Sequence, residues 1–179
     1  MNQENELKKE NPIFQACWPT LEINGFELIH NGWNGLLKNF FDYVANEQTR
    51  YVKRKDFDSY ESPGVPIFNF ATLQIKQKFG YLRVYWNLAP IELDWDIFCR
   101  ESYYQRISQI KERIFGYCSA IGSLSGKVCE ISGNIGESRN INGWFMTLSD
   151  AEYNKIIKET KPCLTFWTES GAERDNSQS

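Results

Sequence analysis

Histidine is almost absent: the 179 residues contain one, His30. One imidazole cannot supply an HExxH metal site. Any Ser–His–Asp or Cys–His arrangement would have to be built on that residue alone. No P-loop, dinucleotide glycine fingerprint or nucleophile elbow occurs. No apolar run is long enough to cross a bilayer, which excludes a membrane-spanning helix. The opening MNQENELKKENP is polar and lacks the apolar stretch of a signal peptide, so a cytoplasmic location is expected. The five cysteines (Cys17, Cys99, Cys118, Cys129, Cys163) are odd in number and lack tight spacing. That pattern argues against a secreted disulfide scaffold and for reduced thiols packed as small hydrophobes. An excess of positive charge is also missing. The net charge is −3, so bulk attraction to nucleic acid or to an anionic membrane is not expected.

Aromatic residues are abundant, at 15% of the chain, with 12 Phe, 9 Tyr and 6 Trp. Such a chain can bury a sizeable core, which rules out global disorder. Composition divides it into a polar tail over 1–11, one domain over 12–168 and a second tail over 169–179.

Trp33, Leu36, Leu37, Phe40, Phe41 and Val44 recur at helical spacing and predict a helix over about 33–47. The basic run Arg50-Tyr51-Val52-Lys53-Arg54-Lys55 follows, then DFDSYESPGVP, which reads as a loop. Across 67–88 the period changes to two. Leu73 and Ile75 alternate with polar residues, and Leu82, Val84 and Trp86 share one face while Tyr81, Arg83 and Tyr85 share the other. With Lys78-Phe79-Gly80 as the turn, this segment predicts a β-hairpin. Tyr103, Ile107, Ile110, Ile114, Tyr117, Ile121 and Leu124 form one stripe of a long helix over about 97–124, which Gly122 and Gly126 are expected to end. Residues 127–136 read as a knuckle and RNINGWFMTL as a strand or hairpin arm. Ser149 and Glu152 form a capping box for a short helix to about Glu159, and CLTFW is a candidate last strand. The expected class is α+β: an antiparallel sheet with a central hairpin packed on one long and two shorter helices.

The carboxylates Glu92, Asp94 and Asp96 alternate with Leu93, Trp95 and Ile97. In an extended segment all three acids project on one side, which makes an acidic docking surface with Trp95 or Trp86 as its aromatic anchor. Asp56, Asp58 and Glu61 add acid in the preceding loop. The simpler reading of these groups is a solvated face.

The segment Gln74-Ile75-Lys76-Gln77-Lys78-Phe79-Gly80-Tyr81-Leu82-Arg83-Val84-Tyr85 resembles the "IKEKFGGLRFY"-like hairpin of a family of small phage and bacterial proteins. That family carries a "GW-x-x-L" helix start upstream, matched by Gly32-Trp33-Asn34-Gly35-Leu36. Downstream it has a long helix and a zinc-ribbon-like end with two C-x-x-C pairs around a Gly-Trp strand. Here the corresponding stretches are Cys129-Glu130-Ile131-Ser132-Gly133, Asn142-Gly143-Trp144 and Ser149-Asp150-Ala151-Glu152. Of the four thiolates that the resemblance implies, only Cys129 remains. A structural zinc site needs four N or S ligands, so no bound metal and no cofactor are expected. Packing of Trp144 and Phe145 is expected to hold the knuckle instead.

These features predict a non-enzymatic protein that binds another, basic protein, as immunity proteins do when they neutralise bacterial toxins. Glu92, Asp94, Trp95, Asp96, Asp56, Asp58 and Glu61 are the expected contacts. The alternative is an accessory protein of nucleic acid derived from a zinc-ribbon scaffold, using the 50–55 run with Lys76, Lys78, Arg83, Tyr81 and Tyr85. An enzyme built on Cys99 beside Arg100 is the third and weakest reading.

Overall fold

Two tight hairpins and one long helix organise the chain. The computed structural model describes residues 29–48, 52–53, 60–61, 67–91 and 99–160. A 3-10 turn, Asn31–Trp33, leads into helix α1, Asn34–Gln48. Strands β1, Val52–Lys53, and β2, Tyr60–Glu61, pair as a two-residue ladder. Strands β3, Phe68–Lys78, and β4, Tyr81–Pro90, form the main hairpin. Helix α2 spans Arg100–Ser125, β5 (Glu137–Ile141) and β6 (Trp144–Leu148) make a second hairpin, and α3 covers Asp150–Thr160. All pairing is antiparallel, and the class is α+β.

The turn of the main hairpin has positive φ at both central residues, 55° at Phe79 and 79° at Gly80. This mirror-image turn twists in the sense that flanking strands require. Gly80 suits it, since a Cβ there would add strain at positive φ.

One irregularity sets the burial pattern. The β3–β4 register shifts between Phe70 and Thr72, so β3 carries one extra residue there. Inward positions on β3 accordingly change phase, from Phe68 and Phe70 to Leu73 and Ile75. On β4 the inward set Leu82, Val84, Trp86 and Leu88 runs unbroken. A bulge thus keeps two out-of-phase apolar pairs on one face of the sheet.

Helices α1 and α2 pack on that face. Leu37, Phe40, Phe41 and Val44 from α1 meet Tyr103, Ile107, Ile110, Ile114 and Ile121 from α2 in one core cluster. Each fully buried side chain of this kind contributes about 1.5–3 kcal/mol relative to exposure. Tyr43 and Tyr117 stack at 4.3 Å along the α1–α2 seam. The Tyr103 hydroxyl donates to the Ile67 carbonyl at 2.9 Å and accepts from the Ile91 amide at 3.1 Å, which staples both open ends of the hairpin to α2. Burial pushes this phenol above its ordinary value.

The long helix departs from the expected stripe at its end. Leu124 is exposed, and Gly122 does not end α2 but lies within it, where a Cβ would sit 3.4 Å from the Leu82 carbonyl oxygen. Ser125 takes the inward place one turn after Ile121. It is fully buried, and its hydroxyl accepts from the Leu82 amide at 2.9 Å. The tails, the 97–98 start of the long helix and the CLTFW segment lie outside the described residues. So does most of the basic run and acidic loop, within which Val52–Lys53 and Tyr60–Glu61 pair.

Candidate functional site

The face of the main hairpin turned away from the helices is basic and aromatic. Alternation along the strands puts Lys76, Lys78, Tyr81, Arg83 and Tyr85 on it. Between Phe68 and Pro90 the charged residues are Lys76, Lys78 and Arg83, so this face carries no acid at all. Each cation lies beside a ring. The Lys76 ammonium is 4.6 Å from the Tyr85 centroid, Lys78 is 5.5 Å from Phe79, and the Arg83 guanidinium is 5.6 Å from Tyr81. Contacts of this kind add about 0.5–1 kcal/mol at exposed sites and hold the rings in place. The rings themselves stay open to solvent, at 64% for Phe79 and 47% for Tyr85.

A groove of about 480 Å3 runs between β4 and α2 beside this face. Five consecutive β4 residues, Leu82 to Trp86, line it, so it follows the strand's edge rather than one face. Its other wall is α2, through Phe115, Cys118, Ser119 and Gly122, and Lys78 and Phe79 close its end. Phe115 is 70% exposed. Burial pushes the Cys118 thiol up to about 11, and a hydrogen bond with the Trp86 side chain only partly offsets this. A thiol held protonated is a packing group, not a nucleophile.

The knuckle, residues 127–136, sits against the start of the 3-10 turn. The Gly32 amide donates to the Glu130 carbonyl at 2.8 Å, and the Trp33 indole donates to the Val128 carbonyl at 2.9 Å. A Cβ on Gly32 would lie 2.1 Å from the Cys129 carbonyl oxygen, so only glycine permits this approach. The Glu130 amide donates to the Thr147 carbonyl on β6. The expected support from Trp144 and Phe145 does not exist: both rings are exposed, and Phe145 lies edge-on to Phe79 at 6.5 Å. Trp33, wholly buried, holds the knuckle through its indole N–H on the Val128 carbonyl.

Two groups in the knuckle are electrostatically unusual. Burial raises the Cys129 thiol, but the Ser132 hydroxyl and the amides of Ser132, Ser149 and Ile131 outweigh it and leave the thiol below its ordinary value. The Ser132 amide lies 3.5 Å from Sγ. Glu130 is 1% exposed, and neither carboxylate oxygen has a hydrogen bond of normal geometry. The His30 imidazole faces it, with Nε2 at 3.7 Å. Burial pushes this carboxyl up to about 7, against the partial pull of the Thr147 backbone and the Gln77 side chain.

The donor set does not fit a zinc ion. Cys129 stands with Ser132 and Ser149, whose hydroxyls are poor ligands. Ser149 instead caps α3, accepting from the Glu152 amide at 3.4 Å. Among the described residues no three His, Cys, Asp or Glu side chains converge on a metal position.

Glu92, Asp94, Trp95, Asp96, Asp56 and Asp58 lie outside the described residues. Glu61 belongs to β2, where its backbone pairs with Val52. The groove was not anticipated, since it depends on how α2 packs beside β4. Its one sequence signal was the apolar residue Phe115 off the α2 stripe. Among the described residues no helix is long and apolar enough to cross a membrane. Compared with known proteins, the chain matches no family model, no curated protein and no solved structure.

Proposed function

We propose that this chain is a non-enzymatic protein that acts by binding another protein, as immunity-type antagonists that neutralise bacterial toxins do. One observation carries the reading: Phe79, Tyr85 and Phe115 are all exposed around one groove. Monomeric proteins seldom leave large rings clustered in water, and aromatic side chains dominate the energetics of protein contacts. Among the described residues the surface beside the groove is basic and aromatic, and the expected acidic contacts other than Glu61 lie outside those residues.

The test uses tagged protein as bait beside a Tyr85→Ala/Phe115→Ala variant of equal thermal stability. The expected result is a stoichiometric protein partner, toxic when expressed alone, that the variant fails to retain. Equal retention by both proteins would refute the site, and failure of the chain to suppress the partner's toxicity would refute the antagonist role.

A second reading has its own observation. Three cations beside three rings, with no acid between them, also suit the backbone and bases of a single-stranded nucleic acid. Oligothymidylate binding that weakens steeply with salt would support it. No binding at low salt would remove it.

A further inference from the structure

The main hairpin is a two-stranded sheet, so among the described residues β4 has one edge that pairs with no strand. The register tells which backbone groups face that edge. Lys78 and Tyr81 close the two-residue turn and form a hydrogen-bonded pair, and the pairs then alternate. Lys76 with Arg83 and Gln74 with Tyr85 are therefore bonded inward. Leu82, Val84 and Trp86 turn their N–H and C=O outward. The Leu82 amide confirms the phase, because it bonds away from β3 to the Ser125 hydroxyl. The groove runs along Val84 and Trp86, between this edge and α2. Natural proteins seldom leave such an edge unprotected.

We infer that the free edge of β4 beside α2 takes an extended, acidic segment of the partner protein as an added strand. The inference rests on the protein-binding reading above and names what the groove recognises. Three features set the occupant. The outward N–H and C=O groups of Val84 and Trp86 repeat every second residue, which matches another polypeptide backbone and not a phosphate chain. The walls, with Val84, Trp86 and Phe115, take an apolar side chain at alternate positions. The charged lining residues are Lys78 and Arg83, with no acid, so acidic side chains on the segment's other face are complementary and basic ones are repelled.

The probe is a fluorescein-labelled heptapeptide, Glu-Ile-Asp-Trp-Asp-Ile-Glu, with a control in which every acid is lysine. Binding to the full chain is read by anisotropy, and backbone amide exchange is followed in the same complex. The acidic peptide is expected to bind, the lysine peptide is not, and the amides of Val84 and Trp86 are expected to slow in exchange. Val84→Pro removes an outward N–H while sparing the β3–β4 ladder, a placement that edge strands tolerate. It is expected to weaken the peptide about tenfold, the scale of one lost hydrogen bond plus a steric clash. Arg83→Glu is expected to weaken it by a similar factor, and more at low salt.

Equal binding of the two peptides, or unchanged exchange at Val84 and Trp86, overturns the inference even if Val84→Pro fails to fold. Binding of oligothymidylate in place of either peptide overturns it and the protein-binding reading together. A partner that needs Tyr85 and Phe115 but ignores Val84→Pro overturns the edge alone and leaves that reading standing.

Discussion

Glu130 gives the sharpest test of the electrostatics. Its carboxyl rises from an ordinary 4.5 to about 7 because the knuckle strips it of water. The folded state therefore holds this proton more tightly than the unfolded chain does. The stabilising contribution is complete below pH 4.5 and is lost as pH rises through about 7. A shift of that size corresponds to about 3 kcal/mol, and at 1% exposure solvent screens little of it. Glu130→Gln keeps the shape and removes the charge. Urea unfolding of both proteins from pH 5 to pH 8 separates this group from every other carboxylate. The variant is expected to be more stable than the parent at pH 8 by up to about 3 kcal/mol, the gap shrinking below about 1 kcal/mol at pH 5. The His30 imidazole faces Glu130, so the pair is measured again with His30→Gln in both backgrounds. A gap of constant size across the pH range would refute the reasoning, because it would show that Glu130 is solvated.

The α1–α2 seam contains a second buried carboxylate. Arg113 donates through Nε at 3.1 Å and Nη2 at 2.9 Å to one oxygen of Glu47, whose side chain is 1% exposed. Arg113→Met is expected to cost about 3 kcal/mol in chemical denaturation, and Glu47→Gln added to it is expected to recover most of the loss. Strict additivity would show that the pair is not coupled. Gly32→Ala forces a Cβ into the Cys129 carbonyl, so a loss of about 2 kcal/mol or more is expected, with faster alkylation of Cys129. Unchanged stability would mean that the knuckle is not seated on Gly32. Metal analysis of the purified chain is expected to find no stoichiometric zinc, whereas Ser132→Cys, Ser149→Cys and Glu152→Cys together are expected to bind one ion with Cys129. No binding by the triple variant would count against a zinc-ribbon ancestry for the frame.

The parts of the fold that were legible in the sequence are those governed by short-range period. Leu82, Val84 and Trp86 alternate with Tyr81, Arg83 and Tyr85, and nothing in β4 competes with that pattern. The β3 bulge was written in FNFATLQIK as a change of phase, but a phase change reads equally well as the end of a strand. Leu124 misled because it extends an apolar stripe by a permitted step of three. The inward place went to Ser125, whose hydroxyl a buried Leu82 amide requires. The knuckle was least legible. Its anchor, Trp33, lies 95 residues away from Val128 along the chain, and only tertiary folding brings an indole donor to that carbonyl. The basic face of the main hairpin was obscured by averaging. A net charge of −3 suggests an acidic surface, yet between Phe68 and Pro90 every charge is positive.

The two tight hairpins among the described residues turn with the same handedness but with different residues. Asn142 and Gly143 hold φ of 52° and 88°, a conformation that Asn tolerates because its short amide bonds locally. Phe79 and Gly80 hold 55° and 79°, although a bulky side chain at positive φ is strained. The ring does not recover that strain by burial, for it is 64% exposed and its edge contact with Phe145 involves another exposed ring. Residues that break a local rule without a folding gain concentrate at functional sites. Phe79 also lies at the closed end of the groove, beside Lys78. Phe79→Asn is therefore expected to stabilise the chain by about 1 kcal/mol through relief of backbone strain. The same change is expected to weaken acidic-peptide binding several-fold, through loss of an aromatic contact. Thermal unfolding and peptide anisotropy on one preparation read both effects. If the variant unfolded at a lower temperature and bound the peptide as before, Phe79 would be a structural residue and the hairpin tip would have no part in recognition.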